Sequence, residues 1–62
     1  MNRTEMATKH EREGGYRTAY IHGWETFLAG SGLFRAMKEY EGQAQTSFIA
    51  GYHEADKVSV SS

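Results

Sequence analysis

The sequence of 62 residues predicts an all-α protein, a small helical hairpin of two to three helices. Two observations lead to this fold class. Large apolar residues recur at steps of three and four along most of the chain, which is the period of an amphipathic helix. The chain has no proline, so glycine alone marks the helix ends. We expect helices at about 8–29, 33–41 and 44–57 in one domain that spans 1–62.

The first predicted helix has one aromatic face and one polar face. The aromatic face contains Tyr16, Tyr20, Trp24, Phe27 and Leu28, and the opposite face contains Thr18, His22, Glu25 and Thr26. At about 100° per residue, such a division is typical of a helix with one side against a core.

Residues 1–13 are expected to form a separable extension of this helix that could fray. Gly14 and Gly15 each weaken a continuous helix by about 1 kcal/mol relative to alanine. The helix could begin at Thr8, which has capping-box spacing to Glu11, or earlier at Asn2.

The next break is expected at the turn 30–32, where Gly30 suits a helix C-terminus and Ser31 suits a following N-cap. Beyond it, the apolar period fits either one kinked helix or two short ones. We favour two, with a break near Gly42. Residues 58–62 are β-branched, rich in serine and terminal, so we expect a loose tail.

Composition excludes several classes of protein. There is no cysteine, which rules out a disulfide framework and a thiolate metal cluster. No apolar run approaches the roughly 20 residues of a membrane span. The sequence therefore predicts a soluble, cytoplasmic protein that does not contact a membrane. Its core must rely on aromatic rings and small residues, and such a core often completes itself on a partner or, as a homodimer, on a second copy.

Two segments combine glycine with aromatic residues, GWETFLAGS at 23–31 and SFIAGYHEA at 47–55. Together they resemble the ribosome modulation factor family, in which a Gly-Tyr segment ending in Ala-Gly precedes a Trp-Leu-Gly-Gly-Trp-Arg-Glu-Ala segment. The second match is in register from Phe48 to Ala55, and the resemblance covers about residues 15–56. It implies a non-catalytic accessory protein that binds the ribosome or ribosomal RNA and modulates translation.

The glycines of these segments suggest how the two helices meet. Glycine beside an aromatic residue lets a neighbouring helix approach closely. We therefore expect Gly23 and Gly51 to face each other, with Trp24 and Tyr52 beside the contact.

The chain also departs from the family. The family has a Cys-Pro-Tyr segment in its linker, whereas residues 31–47 contain neither cysteine nor proline. The family is strongly basic, whereas this chain has 7 Lys and Arg against 8 Asp and Glu. Because RNA affinity grows with the number of phosphates neutralised, an RNA contact here would be small.

One basic patch could nevertheless contact RNA. Arg3, His10 and Arg17 are seven residues apart and would share a face of a continuous helix. Nearby cations complete the candidate RNA-binding set of Arg3, Lys9, His10, Arg12 and Arg17. Acidic residues lie among them, so an ordinary solvated helix surface is the other interpretation.

Aromatic residues are the second candidate surface, because Trp and Tyr concentrate binding energy at interfaces. The candidate partner-binding residues are Tyr16, Tyr20, Trp24, Tyr40, Tyr52 and His53. Most could equally be core, and Tyr16 and Tyr40, at the ends of their stripes, should be the most exposed. This surface suits an alternative function, a phage- or mobile-element-type inhibitor or adaptor that binds one host protein.

We expect no catalytic, metal or cofactor site. His22 with Glu25 and His53 with Glu54 offer ligand types that suit zinc, but no histidine pair has the i, i+4 spacing of a helical zinc site. The sequence also lacks a cysteine nucleophile, a Gly-x-Ser-x-Gly elbow and a Walker-type loop. We therefore predict that the protein is not an enzyme.

Overall fold

The computed structural model describes residues 2–61, without the side chain of Ser61. Its α-helices are α1 (Arg3–Arg12), α2 (Arg17–Leu28), α3 (Leu33–Ala36) and α4 (Gly42–Ser61), and a 3₁₀ turn at Met37–Glu39 follows α3. No strand occurs in the described part of the chain, so the all-α class is confirmed. The predicted number of two to three helices is wrong, because there are four in residues 2–61.

The prediction of one helix at 8–29 is wrong because the chain leaves the helix at Gly14. This residue has a φ of +99°, which side-chain-bearing residues rarely adopt. The Gly14 N–H donates to the Glu11 carbonyl and the Gly15 N–H to the His10 carbonyl, each at 3.0 Å. This is a Schellman motif, which ends α1 and lets α2 begin in a new direction.

Asn2 is the N-cap of α1, and its side chain accepts a hydrogen bond of 2.9 Å from the Glu5 N–H. The earlier of the two possible helix starts is therefore the observed one. The residues expected to form a separable extension are an ordered helix packed on α2, with Ala7 fully buried. Met1 of that extension lies outside the described residues.

The main packing contact joins α2 and α4, and it is a crossing between two glycines. A Cβ atom on Gly23 would come within 3.0 Å of the Phe48 carbonyl group, and one on Gly51 within 3.0 Å of the Tyr20 carbonyl oxygen. Real Cβ atoms essentially never come so close to backbone. The predicted close approach at Gly23 and Gly51 is therefore confirmed.

Rings and small residues fill the space beside this crossing. One cluster of buried residues consists of Ala7, Tyr20, Trp24 and Ala55. Phe48 is fully buried on α4. The Cα atoms extend over 31 × 27 × 12 Å, so the protein is thin in one direction. A helix with its side chains is about 10–12 Å across, so every helix keeps an exposed side.

The predicted polar face of α2 is partly wrong. Thr26 is buried, and its Oγ1 donates to the His22 carbonyl oxygen at 2.8 Å. The His22 ring stands edge-on to Phe48 at a centroid distance of 5.3 Å. Both residues are next to or one turn from Gly23, on the side of α2 that α4 covers closely.

The turn after α2 was predicted correctly at Gly30, which has a φ of +76° and follows the helix C-cap. Ser31 is not the next N-cap, because that position belongs to Gly32. The Tyr52 hydroxyl donates to the Ser31 carbonyl oxygen at 3.2 Å, so the turn is attached to α4.

The second half of the chain has the favoured break, since α4 begins at Gly42. The predicted helix at 33–41 is in fact α3 followed by the 3₁₀ turn. The predicted loose tail is wrong where the structure describes it, because α4 continues through Val58 to Ser61. Residues 56–61 contain neither glycine nor proline, so nothing stops the helical hydrogen bonds. Ser62 lies outside the described residues.

None of the helices in the described part of the chain has the combination of length and apolar character that a bilayer crossing requires.

Replacing Gly51 by alanine should destabilise the protein by about 2 kcal/mol or more. The new methyl group meets a backbone carbonyl that cannot rotate away, and this overpacking outweighs the gain of about 1 kcal/mol in helix propensity. Urea unfolding followed by circular dichroism measures the change.

Gly32→Ala is the matched control. Gly32 has a φ of −70°, and a Cβ atom there meets nothing within 4 Å. It should change the free energy of unfolding by less than about 1 kcal/mol, because the lower entropy of the unfolded chain and the weaker preference for alanine at an N-cap oppose each other. Equal stability of Gly51→Ala and the wild type would contradict the close crossing.

Candidate functional site

The predicted RNA-binding residues do not form one surface. Arg3, His10 and Arg17 could share a face only in a continuous helix, and α1 ends at Arg12. The Arg3 guanidinium is 3.2 Å from a Glu25 carboxylate oxygen, in an exposed ion pair. Such a pair adds little stability, but it offsets the charge of Arg3.

His10 has a structural position. Its Nε2 atom is 2.9 Å from the Ser47 hydroxyl, and its ring lies 4.7 Å from the Tyr20 ring. Gly15 makes room for it, because a Cβ atom there would overlap the imidazole. His10 therefore joins α1 to α2 and α4 rather than facing a partner.

Ser47 fixes the turn between α1 and α2. The buried hydroxyl oxygen accepts a hydrogen bond of 2.9 Å from the Tyr16 N–H. The same hydroxyl lies 2.9 Å from His10 Nε2, so Ser47 connects the backbone of Tyr16 with the His10 ring. The backbone of Tyr16 is thus held against α4 while its ring, with the residue 51% exposed, faces solvent.

Three cations and one tyrosine among the exposed residues around this turn are together named the α1–α2 turn surface: Lys9, Arg12, Tyr16 and Arg17. The two arginines are the last residue of α1 and the first of α2. Glu11 and Glu13 are exposed in the same stretch, so the local charge is mixed.

The predicted partner-binding aromatics are divided by the structure. Tyr16 is exposed as predicted, and His53 is exposed as well. Tyr20 and Trp24 are buried, so their assignment to a partner surface is wrong. They belong to the cluster that also buries Ala7.

The other two tyrosines are half-buried. Tyr40 was expected to be among the most exposed, but its hydroxyl lies 2.7 Å from His22 Nδ1 and its ring is 5.3 Å from that of Phe48. Tyr52 contacts Phe27 edge-on at 5.4 Å. The expectation of a highly exposed Tyr40 was wrong, because the stripe of apolar residues does not show that this ring packs against α2 and α4. The assignment of Tyr52 to a partner surface stays a prediction.

A second exposed apolar surface was missed. Leu28, at the end of α2, is 64% exposed, and Phe34, in α3, is 75% exposed. We name this pair the α2–α3 turn surface. The signal was present in the sequence, because the Gly30–Gly32 turn that separates the pair places both residues at helix ends.

Tyr20 closes one side of an open cavity of about 220 Å³. The cavity is lined by Met6, Lys9, His10, Glu13, Tyr20, Ala50 and Glu54. Burial raises the pKa of Tyr20 to about 12 from 10.0, and the nearby negative charges of Glu54 and Glu13 add to this effect. The phenol therefore stays protonated well above the range of an ordinary tyrosine.

Within residues 2–61, no three histidine or acidic side chains lie close enough together to hold a metal ion.

The Tyr20 phenol should make stability depend on alkaline pH. Its folded pKa is higher than its unfolded value, so its contribution is complete below pH 10 and is lost as pH rises through about 12. The loss is at most about 2 kcal/mol, because water in the open cavity screens the hydroxyl. Urea unfolding at several pH values, compared with Tyr20→Phe, measures it.

The Tyr20→Phe variant also shows by absorbance spectroscopy whether Tyr20 is the phenol with the raised pKa. Tyrosinate absorbance of the wild type should show one late-titrating phenol that Tyr20→Phe lacks. Titration of all the tyrosines in a single step near pH 10 would contradict the assignment.

In comparisons with known proteins, no family model, no curated protein and no solved structure matches this chain.

Proposed function

We propose that this chain is a non-catalytic accessory protein that binds the ribosome and modulates translation. The observation that carries the proposal is the α1–α2 turn surface, in which three exposed cations and an exposed tyrosine lie at the end of α1 and the start of α2. The resemblance of the two glycine-aromatic segments to the ribosome modulation factor family supports the choice of partner.

The chemistry of this surface suits single-stranded or looped RNA. Lysine and arginine neutralise phosphates, and a tyrosine ring stacks on an unpaired base. The hydrogen bond from the Tyr16 N–H to Ser47 holds the backbone beneath that ring. Because the turn is already held in place in the free protein, little conformational entropy of the turn is lost when Tyr16 contacts a base.

Charge limits the strength of the contact. The formal net charge of the chain is −1. Three cations that engage phosphates of single-stranded RNA give a slope of about −2 in a plot of log affinity against log salt concentration. A weak, moderately salt-dependent association with RNA is therefore expected. Stacking of Tyr16 supplies a part of the binding free energy that does not depend on salt.

Arg12→Ala combined with Arg17→Ala should reduce co-sedimentation with ribosomes and lower the magnitude of the salt slope by roughly 1.4. Arg35→Ala combined with Lys38→Ala removes the same charge from exposed positions on α3 and the 3₁₀ turn, and should leave both quantities unchanged. Recovery of all the wild-type protein in the ribosome-free supernatant at low salt would contradict the proposal.

A second candidate function is that of an adaptor or inhibitor, of the kind encoded by phages and mobile elements, that binds one protein. The α2–α3 turn surface favours it. Phe34 and Leu28 together expose apolar area next to a turn that Tyr52 attaches to α4. An exposed aromatic residue on a fixed turn is a suitable anchor for a pocket on a partner.

Phe34→Ser combined with Leu28→Ser should abolish capture of a protein partner in an affinity purification treated with nuclease. Val60→Ser, which replaces a more exposed apolar residue near the end of α4, is the control and should retain capture. All of these side chains are exposed, so the free energy of unfolding should change by about 0.5 kcal/mol or less per substitution.

The same variants test for a homodimer. Light scattering that gives a doubled mass for the wild type and a single mass for the Leu28 and Phe34 double variant would identify the partner as a second copy. Equal capture by the double variant and the wild type would exclude this surface as the binding site.

A further inference from the structure

We propose that the cavity beside Tyr20 binds a primary alkylammonium group, either as a free aliphatic amine or as a lysine side chain of a partner protein. The inference is independent of the proposed ribosome binding. It depends on one buried polar group, two carboxylates and the apolar wall of the cavity.

The buried polar group is the Tyr20 hydroxyl. Tyr20 is only 4% exposed, yet it lines the cavity. Its hydroxyl has no hydrogen-bond partner among the described residues. No fully enclosed side-chain oxygen or nitrogen in that part of the chain lacks a partner, so the hydroxyl must reach the open space of the cavity. A phenol in this position is ready to bind a polar guest.

The carboxylates of Glu13 and Glu54 determine the charge of the guest. Neither has an ion-pair partner within 4.0 Å in residues 2–61. Both residues line the same cavity as Tyr20. Lys9 lines the same cavity, so the charges of its ammonium group and the two carboxylates sum to −1. One monovalent cation balances it.

The number of acceptors determines the type of cation. An ammonium group has three N–H donors. The cavity offers acceptor oxygens on three residues in its lining, the carboxylates of Glu13 and Glu54 and the phenol of Tyr20. A quaternary ammonium has no N–H donor for them, and a planar guanidinium has five donors in a fixed fork. A primary ammonium is therefore the matching guest.

The apolar lining determines the rest of the guest. Met6 and Ala50 line the cavity together with the polar groups and are partly buried against the core cluster. Met6 supplies an adaptable thioether surface for an alkyl chain. The volume of about 220 Å³ is below the roughly 300–1,000 Å³ of sites for drug-sized ligands, so a short chain fits better than a ring system.

Titration of ¹⁵N-labelled protein with n-butylammonium chloride at constant ionic strength and neutral pH tests the proposal. We expect saturable shifts of the Met6, Tyr20 and Ala50 amide signals with a Kd in the millimolar range. That affinity corresponds to about 0.8 kcal/mol for each of five non-hydrogen atoms, within the limit for small ligands. Butan-1-ol, the neutral analogue, should not shift these signals saturably.

Two variants examine separate parts of the site. Tyr20→Phe keeps the ring and removes the hydroxyl, and Glu54→Gln removes one charge with little change of shape. Each should weaken binding by about tenfold or more, because each removes a hydrogen bond to a charged group. Glu39→Gln changes an exposed carboxylate on the 3₁₀ turn and should bind as the wild type does.

Nα-acetyl-lysine N-methylamide distinguishes the two sources of the ammonium group. Binding of this compound with an affinity close to that of n-butylammonium indicates a partner's lysine, and binding of n-butylammonium alone indicates a free amine. The proposal is overturned if neither compound gives saturable shifts, if butan-1-ol binds equally well, or if Tyr20→Phe and Glu54→Gln both bind as the wild type does.

Discussion

The close crossing of α2 and α4 at Gly23 and Gly51 is the constraint on which the rest of the structure depends. Each glycine lies against a carbonyl group of the other helix, so no side chain separates the two backbones at this point. The large rings must therefore lie beside the crossing. Trp24 and Tyr20 are buried on the side that α1 covers, whereas Phe48 contacts His22 and Tyr40.

This arrangement explains where polar side chains are used. Helices that cross closely bring their neighbouring turns near each other, and Ser47 on α4 comes within hydrogen-bond distance of both the Tyr16 N–H and His10. The Tyr52 hydroxyl has the same role at the other turn, where it donates to the Ser31 carbonyl oxygen. Both turns next to α2 are thus attached to α4. The backbone beside the exposed residues Tyr16 and Phe34 is therefore held in place.

The sequence predicted the features that depend on local chemistry. The all-α class, the turn at Gly30, the break at Gly42 and the close approach at Gly23 and Gly51 all follow from helical period and glycine position. Features that depend on distant contacts were wrong or missed. Ser47 is 31 residues from Tyr16, and the half-buried His22 ring packs against Phe48 of another helix. The helical period was judged from large apolar residues alone. It therefore did not show that the face of α2 that contains Gly23 packs closely against another helix.

The same constraint separates the two candidate surfaces. Tyr16 precedes α2 and Leu28 ends it, so the α1–α2 and α2–α3 turn surfaces lie at opposite ends of a helix of 12 residues, about 18 Å apart along its axis. Neither surface contains a residue of the crossing. A partner at one end therefore need not displace a partner at the other, and RNA binding and protein binding are compatible in one molecule. Because substitutions at such a distance usually act additively, loss of one function with the other retained would assign each to its own end of α2.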